Sequence, residues 1–185
     1  MTTVANFEKD HAFTERARRL LDRDYYPGKA YMGRFVYVGG NSGGSQAIQR
    51  IAHADVVVQH APGISHVYEE KIVRAKYAAF TLETHSNFER WGSEGATLTR
   101  KDGWIFTSEA DYLLYAFTIE GGLEVWSLPM VRLREWFVPR ETHFPFADVS
   151  NVDRSGRVAY TTRCRVVPIK DIPIQKEREV LAWAR

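Results

Sequence analysis

One aspartate and one short acidic and basic segment have residue types that could hydrolyse phosphodiester bonds. Asp55 is followed, after thirteen intervening residues, by Glu69-Glu70-Lys71. Phosphodiester hydrolysis needs a hard cation that neutralises the phosphate and lowers the pKa of an attacking water. Mg²⁺ prefers oxygen ligands, which carboxylates supply, and a neighbouring lysine can offset the charge that develops in the transition state. These residues therefore indicate a metal-dependent site with a cationic side chain beside it.

The segments around these residues are predicted to form a β-hairpin. Residues 54–59 are a β-branched run, residues 66–73 read as a second strand, and turn-forming residues separate the two. Side chains alternate along a strand, so Glu69 and Lys71 would project from one face. Asp55 stands at the start of the neighbouring strand, where the hairpin could bring its carboxylate alongside.

The rest of the periodicity indicates a mixed α/β domain. Residues 77–85 are predicted as a third strand, and its Glu83 offers another acid to the region of the hairpin. The other predicted elements are a helix at 7–24, an extended segment at 31–38, a hairpin of 111–119 and 123–129, a helix at 129–137, a strand at 157–167 and a helix at 175–185. This succession favours a mixed central sheet flanked by helices.

Two polar stretches interrupt the pattern. Residues 39–45 (GGNSGGS) are predicted as a flexible loop, and they lack the Gly-Lys-Ser/Thr ending of a phosphate-binding P-loop. Residues 86–103 could form a loop near a substrate, in which Trp91 could stack on a nucleobase. Most basic residues are arginines, which suit bidentate phosphate contacts, although a net charge of +2 does not by itself indicate a nucleic-acid partner.

The composition is that of an ordinary globular protein. At 185 residues, with 44% hydrophobic and 26% charged residues, the chain fits one domain. Its apolar stretches are shorter than the roughly 18–20 residues that cross a bilayer, and the N-terminus lacks the apolar segment of a secretory signal. Lone Cys164 cannot form an internal disulfide, which fits a reducing compartment. We therefore expect a cytoplasmic protein with no membrane partner.

The order of these motifs resembles the PD-(D/E)XK nuclease-like superfamily, in the form common in phage and prophage genomes. The resemblance lies within residues 45–137, in ADVVVQ, VYEEKIVRAKYAAFTLETHSN and GWIFTSEADYLLYAF. In such proteins an aspartate precedes a hydrophobic strand, the next strand carries (D/E)-x-K, and a strand with a glutamate follows. A GW(I/L) segment and an aromatic-rich stretch come next. The chain departs from this pattern at His53-Ala54, where a glycine and an apolar residue are usual, and in the long 86–103 segment.

The resemblance implies a fold and an activity. The implied fold is one domain, 1–185, with a restriction-endonuclease-like core (αβββαβ). It would comprise an N-terminal helix in 1–30, the core in 45–137, and a C-terminal strand and helix in 140–185. The implied activity is a DNA endonuclease or phosphodiesterase that depends on Mg²⁺ (or Mn²⁺). Such an enzyme would be encoded by a phage or mobile element and act in the cytoplasm of a bacterial host.

The resemblance also assigns roles to individual residues. Asp55 and Glu69 would be metal ligands, and Lys71 would be the catalytic lysine. Gln49 matches a glutamine often seen ahead of the aspartate, and Glu83 matches the glutamate of the following strand; both would support the catalytic site.

The nucleic acid itself would be contacted by residues near the catalytic lysine. Arg74 and Lys76, just beyond that lysine, are expected to contact the phosphate backbone, and Trp91 is expected to contact a base. DNA is the expected partner, and a monomer and a homodimer are both compatible with the sequence.

Several alternatives stay open. The same fold could serve without catalysis, as a nucleic-acid- or protein-binding module, or it could act on a small nucleotide. The acids and lysine of residues 69–71 could instead be solvent-facing charges of an edge strand, where charges guard against aggregation. The six histidines have no HxxxH or HExxH spacing, so they do not indicate a zinc site.

Overall fold

The computed structural model describes residues 3–5, 7–33, 35–37, 55–89, 101–152 and 158–183. Within these ranges the chain is a mixed α/β protein in which strands predominate over helices. The predicted α/β class with mixed pairing is confirmed, but the strands lie in two sheets where the sequence predicted one central sheet. The predicted loop at 39–45 lies outside the described residues.

The described elements are mostly strands, interrupted by a few helices. The strands are β1 (Thr3–Ala5), β2 (Phe35–Tyr37), β3 (Val56–Ala61), β4 (Ile64–Val73), β5 (Ala79–Glu89), β6 (Lys101–Asp102), β7 (Tyr112–Ile119), β8 (Gly122–Pro129), β9 (Phe146–Val152), β10 (Val158–Pro168) and β11 (Glu177–Ala182). The helices are α1 (Phe7–Leu20), α2 (Tyr26–Lys29), α3 (Trp104–Thr107) and α4 (Met130–Phe137). A π-helical turn, Leu21–Tyr25, joins α1 to α2, and 3₁₀ turns lie at Tyr31–Gly33, Val138–His143 and Ile169–Asp171. Most predicted strands therefore lie within a few residues of observed ones.

The chain divides into two compact units. The first, here called the six-stranded unit, comprises Thr14–Tyr77, Ser108–Glu135 and Ile174–Arg185. Its sheet has the order β11-β8-β7-β4-β3-β2. The predicted hairpin is present, because β3 and β4 pair antiparallel, while β7 lies parallel to β4 on its other side. Strand β4 is therefore an interior strand of a mixed sheet.

One face of this sheet is covered by the first helices. Apolar residues recur at helical spacing from Ala17 to Leu21 and continue into the tyrosines that follow, so one side of the helical segment is apolar. This side packs on alternate residues of the sheet. The buried cluster comprises Ala17, Leu20, Leu21, Tyr25, Tyr26, Val56, Val58, Tyr68, Leu114, Ala116, Leu123, Val125 and Leu181. Tyr68 and Ile72 of β4 belong to this face, so Glu69 and Lys71, which alternate with them, point to the other face.

The predicted C-terminal helix at 175–185 is wrong. Residues Glu177–Ala182 form β11, which pairs antiparallel with β8 along its whole length. The local sequence contains good helix formers, but pairing satisfies the backbone groups of β8 and buries Leu181 in the core cluster. Tertiary contacts therefore override the local helix propensity of this segment.

Gly122 is required where β11 meets β8. A Cβ atom added there would lie 1.8 Å from the carbonyl oxygen of Leu181, closer than atoms can approach. We expect Gly122→Ala to push β11 away and lower the free energy of unfolding by about 2–3 kcal/mol, as measured by urea denaturation. Gly28→Ala is the matched control, because nothing lies within 4 Å of its added Cβ. Equal denaturation midpoints for both variants would contradict the close approach.

The second unit, here called the five-stranded unit, comprises Met1–Phe13, Ala78–Thr107 and Trp136–Pro173. Its sheet has the order β1-β9-β10-β5-β6. The third strand predicted at 77–85 is β5, and it pairs with β10 rather than with the β3–β4 hairpin. Phe80, Leu82 and Thr84 are buried along β5, so its alternation is satisfied within this unit.

The predicted polar segment 86–103 contains strand residues at both ends. Residues 86–89 continue β5, and Lys101–Asp102 form β6.

In the described part of the chain, no helix is both long enough and apolar enough to cross a bilayer.

Candidate active site

A buried carboxylate and a partly exposed amine form an ion pair on β4. The Nζ atom of Lys71 lies 3.0 Å from Oε1 of Glu69. As strand alternation predicts, both side chains project from one face, opposite to the helix-covered face. Glu69 is only 7% exposed, and Glu70 is buried as well. Because β4 is an interior strand, the alternative that these residues are solvent-facing charges on an edge strand is wrong.

Asp55 is held against the same stretch of β4. It immediately precedes β3, and its amide donates to the carbonyl oxygen of Tyr68 at 2.9 Å. Its Oδ2 accepts a hydrogen bond of 2.8 Å from the backbone amide of Glu70. The register that pairs Val56 with Tyr68 brings Asp55 next to Glu69 across the two strands. The hairpin therefore assembles Asp55, Glu69 and Lys71 within one small region of the sheet.

The Glu69 carboxyl is under opposing electrostatic influences. Burial raises the pKa of Glu69, the positive charge of Lys71 lowers it, and the negative charge of Asp55 raises it again; the net direction is upward. A hydrogen bond with Ser108 also favours the carboxylate. Two carboxyl groups that repel each other in a partly dry environment would gain from a shared cation. This electrostatic arrangement is one that a divalent metal ion would relieve.

Ser108 and Arg134 form an outer layer of the site that the sequence did not reveal. Besides its contact with Glu69, Ser108 accepts through its hydroxyl oxygen a hydrogen bond from the amide of Ala110, at 3.2 Å. The guanidinium of Arg134 donates to the carbonyl oxygen of Ser108. Burial lowers the pKa of Arg134, and the negative charge of Glu69 opposes that change. The serine and the arginine lie far from the hairpin in sequence, and no short motif links them to it.

Glu70 points the opposite way, into the helix-covered face. Its carboxylate accepts hydrogen bonds from the hydroxyl of Tyr26 and from Nε of Arg18, the latter at 3.1 Å. Burial raises the pKa of Glu70 to about 7, although Tyr26 and Arg18 both lower it. The alternation that assigned Glu69 to one face also required Glu70 to face the other. Its role is therefore to join β4 to the helices, not to supply another acid beside Lys71.

The other predicted catalytic residues are not found beside Asp55, Glu69 and Lys71 in the described part of the chain. Glu83 lies on β5 of the five-stranded unit, across from Cys164, and it accepts a hydrogen bond from the hydroxyl of Ser86. It does not belong to the sheet that carries the hairpin, because β5 pairs with β10. Gln49 and Trp91 lie outside the described residues.

The predicted phosphate-contacting residues have different surroundings. Arg74 is exposed just after β4. Lys76 forms an ion pair with the buried carboxylate of Glu124, at 2.8 Å, and Arg178 contacts the same carboxylate at 2.6 Å. Burial opposes ionisation of Glu124, yet the hydrogen bonds from Lys76, Arg178 and Trp126 hold its pKa below the ordinary value. Lys76 thus stabilises the sheet through an ion pair that the sequence pattern did not indicate.

Among the described residues, no group of three or more histidine, cysteine, aspartate and glutamate side chains is arranged to hold a metal ion. A cation at the candidate site would therefore depend on two carboxylates, supplemented by water and backbone oxygens, which is a donor set that Mg²⁺ accepts. Comparison of the chain with protein-family models, with curated proteins and with solved structures found no match.

Proposed function

We propose that this protein is a metal-dependent nuclease that hydrolyses phosphodiester bonds of DNA at the Asp55, Glu69 and Lys71 site. The observation that carries the proposal is the buried Glu69 carboxyl, which forms an ion pair with an amine at 3.0 Å and is also subject to the negative charge of Asp55. Such a set is costly to bury without a compensating function, because burial disfavours each charge. Perturbed carboxyl groups of this kind are concentrated at functional sites.

The order of elements in the six-stranded unit supports a restriction-endonuclease-like core. Helix α1 is followed by the antiparallel strands β2, β3 and β4, and a crossover leads to β7, which is parallel to β4. The connection between β4 and β7 carries β5, β6 and α3 of the five-stranded unit, so the support lies in the order of α1 and of β2, β3, β4 and β7 alone. The aspartate immediately precedes β3, and the Glu-x-Lys pair lies on β4.

Each residue has a role that follows from its position. Asp55 and Glu69 would hold Mg²⁺ or Mn²⁺, and the bound cation would neutralise the phosphate and acidify a water molecule. Lys71 would orient the attacking water and stabilise the negative charge that develops on the phosphate oxygens. Ser108 favours the ionised form of Glu69 through its hydrogen bond, and Arg134 donates a hydrogen bond to the backbone carbonyl of Ser108.

The proposal is tested by removing the charge of Glu69. We expect wild-type protein to bind Mn²⁺ in calorimetry and to nick supercoiled plasmid in Mg²⁺ or Mn²⁺ but not in EDTA. Glu69→Gln should lose metal binding and reduce nicking by at least about 100-fold, because it removes one of two anionic ligands. Glu135→Gln is the control, since that exposed glutamate pairs with Arg132 on the surface of α4. Absence of nicking and of metal binding in wild type would refute the proposal.

A non-catalytic binding module is a second candidate, favoured by one specific observation. Lys71 and Ser108 both lower the pKa of Glu69, so the carboxylate has compensating partners within the protein. A domain of this kind would bind nucleic acid or protein through the same fold without taking up metal. Calorimetry separates the two candidates, because the binding module would take up neither Mg²⁺ nor Mn²⁺ through Asp55 and Glu69.

A further inference from the structure

A second cluster of charged side chains lies along α1 and the π-helical turn that follows it. A cavity of about 310 Å³ is lined by three arginines, one leucine and one tryptophan, namely Arg16, Arg19, Leu20, Arg23 and Trp183. The arginines recur at spacings of three and four residues, so they follow one side of the helical segment. The cavity belongs entirely to the six-stranded unit. None of its lining residues takes part in the site around Glu69.

The contacts of these arginines leave the cavity strongly positive. Arg23 forms a two-pronged ion pair with Asp24, at 2.6 and 2.5 Å, and also donates to the carbonyl oxygen of Ala182. Within the described part of the chain, no carboxylate pairs with Arg16 or Arg19. One acid therefore offsets one of three cations, and about two positive charges remain at the cavity.

The cavity also offers an aromatic surface. The guanidinium of Arg16 lies 4.6 Å from the ring centroid of Trp183, and the indole is itself packed against the hydrophobic core. The ring attracts the guanidinium through a cation–π interaction and so favours this position of the arginine. Leu20 is buried at the base of the cavity, so its floor is apolar. The arrangement combines preorganised guanidinium groups, a flat ring and an apolar floor.

We propose that this cavity binds the phosphate of a nucleotide unit, whether the unit is free or part of a single strand. Guanidinium groups match the oxygens of phosphate with parallel hydrogen bonds, which makes arginine the usual side chain for phosphate recognition. Arg23 is paired with Asp24, so the two remaining positive charges, those of Arg16 and Arg19, suit a group that carries more than one negative charge. The adjacent indole and apolar floor suit the sugar or base that a nucleotide brings with its phosphate. The inference is independent of catalysis at Glu69.

The test measures binding without metal. A fluorescein-labelled oligothymidylate of about 12 nucleotides is titrated with full-length protein in EDTA at several salt concentrations. We expect Arg16→Gln/Arg19→Gln to raise the Kd at least about tenfold and to reduce the slope of log Kd against log salt by about 1.4, since each lost phosphate contact on a single strand removes about 0.7. Arg132→Gln/Arg140→Gln, which removes the same charge elsewhere, should change neither quantity. Because binding is measured without metal, it can be present whether or not the wild-type protein nicks DNA, so failure of this proposal and failure of the nuclease proposal are distinguishable.

A second variant and a second probe complete the test. Arg19→Glu leaves the contact between Arg16 and Trp183 in place and should weaken binding at least as much as the double variant. Calorimetry with inorganic pyrophosphate then distinguishes the sources of the phosphate. If the protein binds pyrophosphate and this binding requires Arg16 and Arg19, the cavity binds free phosphate groups. If the protein binds the oligonucleotide but not pyrophosphate, the cavity binds the phosphate of a strand. Unchanged binding in both arginine variants, or an equal loss in the charge-matched control, would overturn the proposal.

Discussion

Lys71→Met should reduce metal-dependent nicking of plasmid DNA by about 100- to 1000-fold, the range seen when one preorganised transition-state donor is removed. The amine lies 3.0 Å from Glu69 and is about one third exposed, so it is close to the proposed metal ligand and still accessible to a substrate. Methionine retains the length of the side chain and removes its charge. The loss should therefore appear in the rate of the chemical step.

The same variant should bind Mn²⁺ more tightly than wild type. Lys71 competes with a cation for the Glu69 carboxylate, and its removal also exposes Glu69 to the full repulsion of Asp55. A divalent ion would relieve that repulsion. Tighter metal binding together with slower cleavage in Lys71→Met would distinguish Lys71 from Glu69, because Glu69→Gln should weaken metal binding and slow cleavage as well.

The control for this experiment is Lys170→Met, which removes an exposed lysine from the five-stranded unit. It should leave both the metal affinity and the cleavage rate unchanged. Circular dichroism of Lys71→Met establishes that the variant is folded, because it leaves the buried Glu69 without its nearest cation. Nicking by Lys71→Met at the wild-type rate would remove Lys71 from the mechanism.

The second large effect concerns stability and pH. The pKa of Glu70 is about 7 in the folded protein, above its ordinary value of 4.5. Between these pH values Glu70 binds more protons in the folded protein than in the unfolded chain, so its contribution to stability is greatest at the acidic end and falls as pH rises towards 7. The loss attributable to this group is of the order of 3 kcal/mol. The hydroxyl of Tyr26 and the positive charge of Arg18 reduce the rise in the pKa of Glu70, and the negative charge of Asp55 increases that rise.

Glu70→Gln should flatten this dependence. The amide retains the shape of the side chain and cannot ionise, so urea denaturation between pH 5 and about 8 should show a shallower decline than in wild type. Glu69 also has a raised pKa and contributes with the same sign, which is why the difference between Glu70→Gln and wild type is the quantity to measure. Glu135→Gln, an exposed control, should keep the wild-type slope. Identical slopes in Glu70→Gln and wild type would contradict the raised pKa.

Local patterns predicted the elements near the site well. Strand β4, the hairpin of β7 and β8, and helix α4 lie close to their predicted positions, because alternation, turn glycines and a proline act over a few residues. The opposite orientations of Glu69 and Glu70 also follow from alternation alone. These features depend on residues that are close in sequence, so they can be predicted from the sequence alone.

Long-range pairing was less predictable. The assignment of β5 to a second sheet depends on β10, which lies about eighty residues further along the chain. The strand conformation of β11 depends on the edge that β8 offers, since the segment itself favours a helix. The partners of Glu70, Tyr26 and Arg18, lie 44 and 52 positions away in sequence. No local period indicates such contacts.

The parallel pairing of β4 with β7 has a consequence for the order of folding. It joins Val67 to Asp111, 44 positions apart, whereas β3 and β4 are connected by a tight turn at Gly63. Closing a long connection costs more chain entropy than closing a short one, so the hairpin should form first and recruit β7 later. Asp55 would thus meet its partners on β4 early in folding. Ser108 and Arg134, which arrive with the later segment, would complete the surroundings of Glu69 only when the sheet closes.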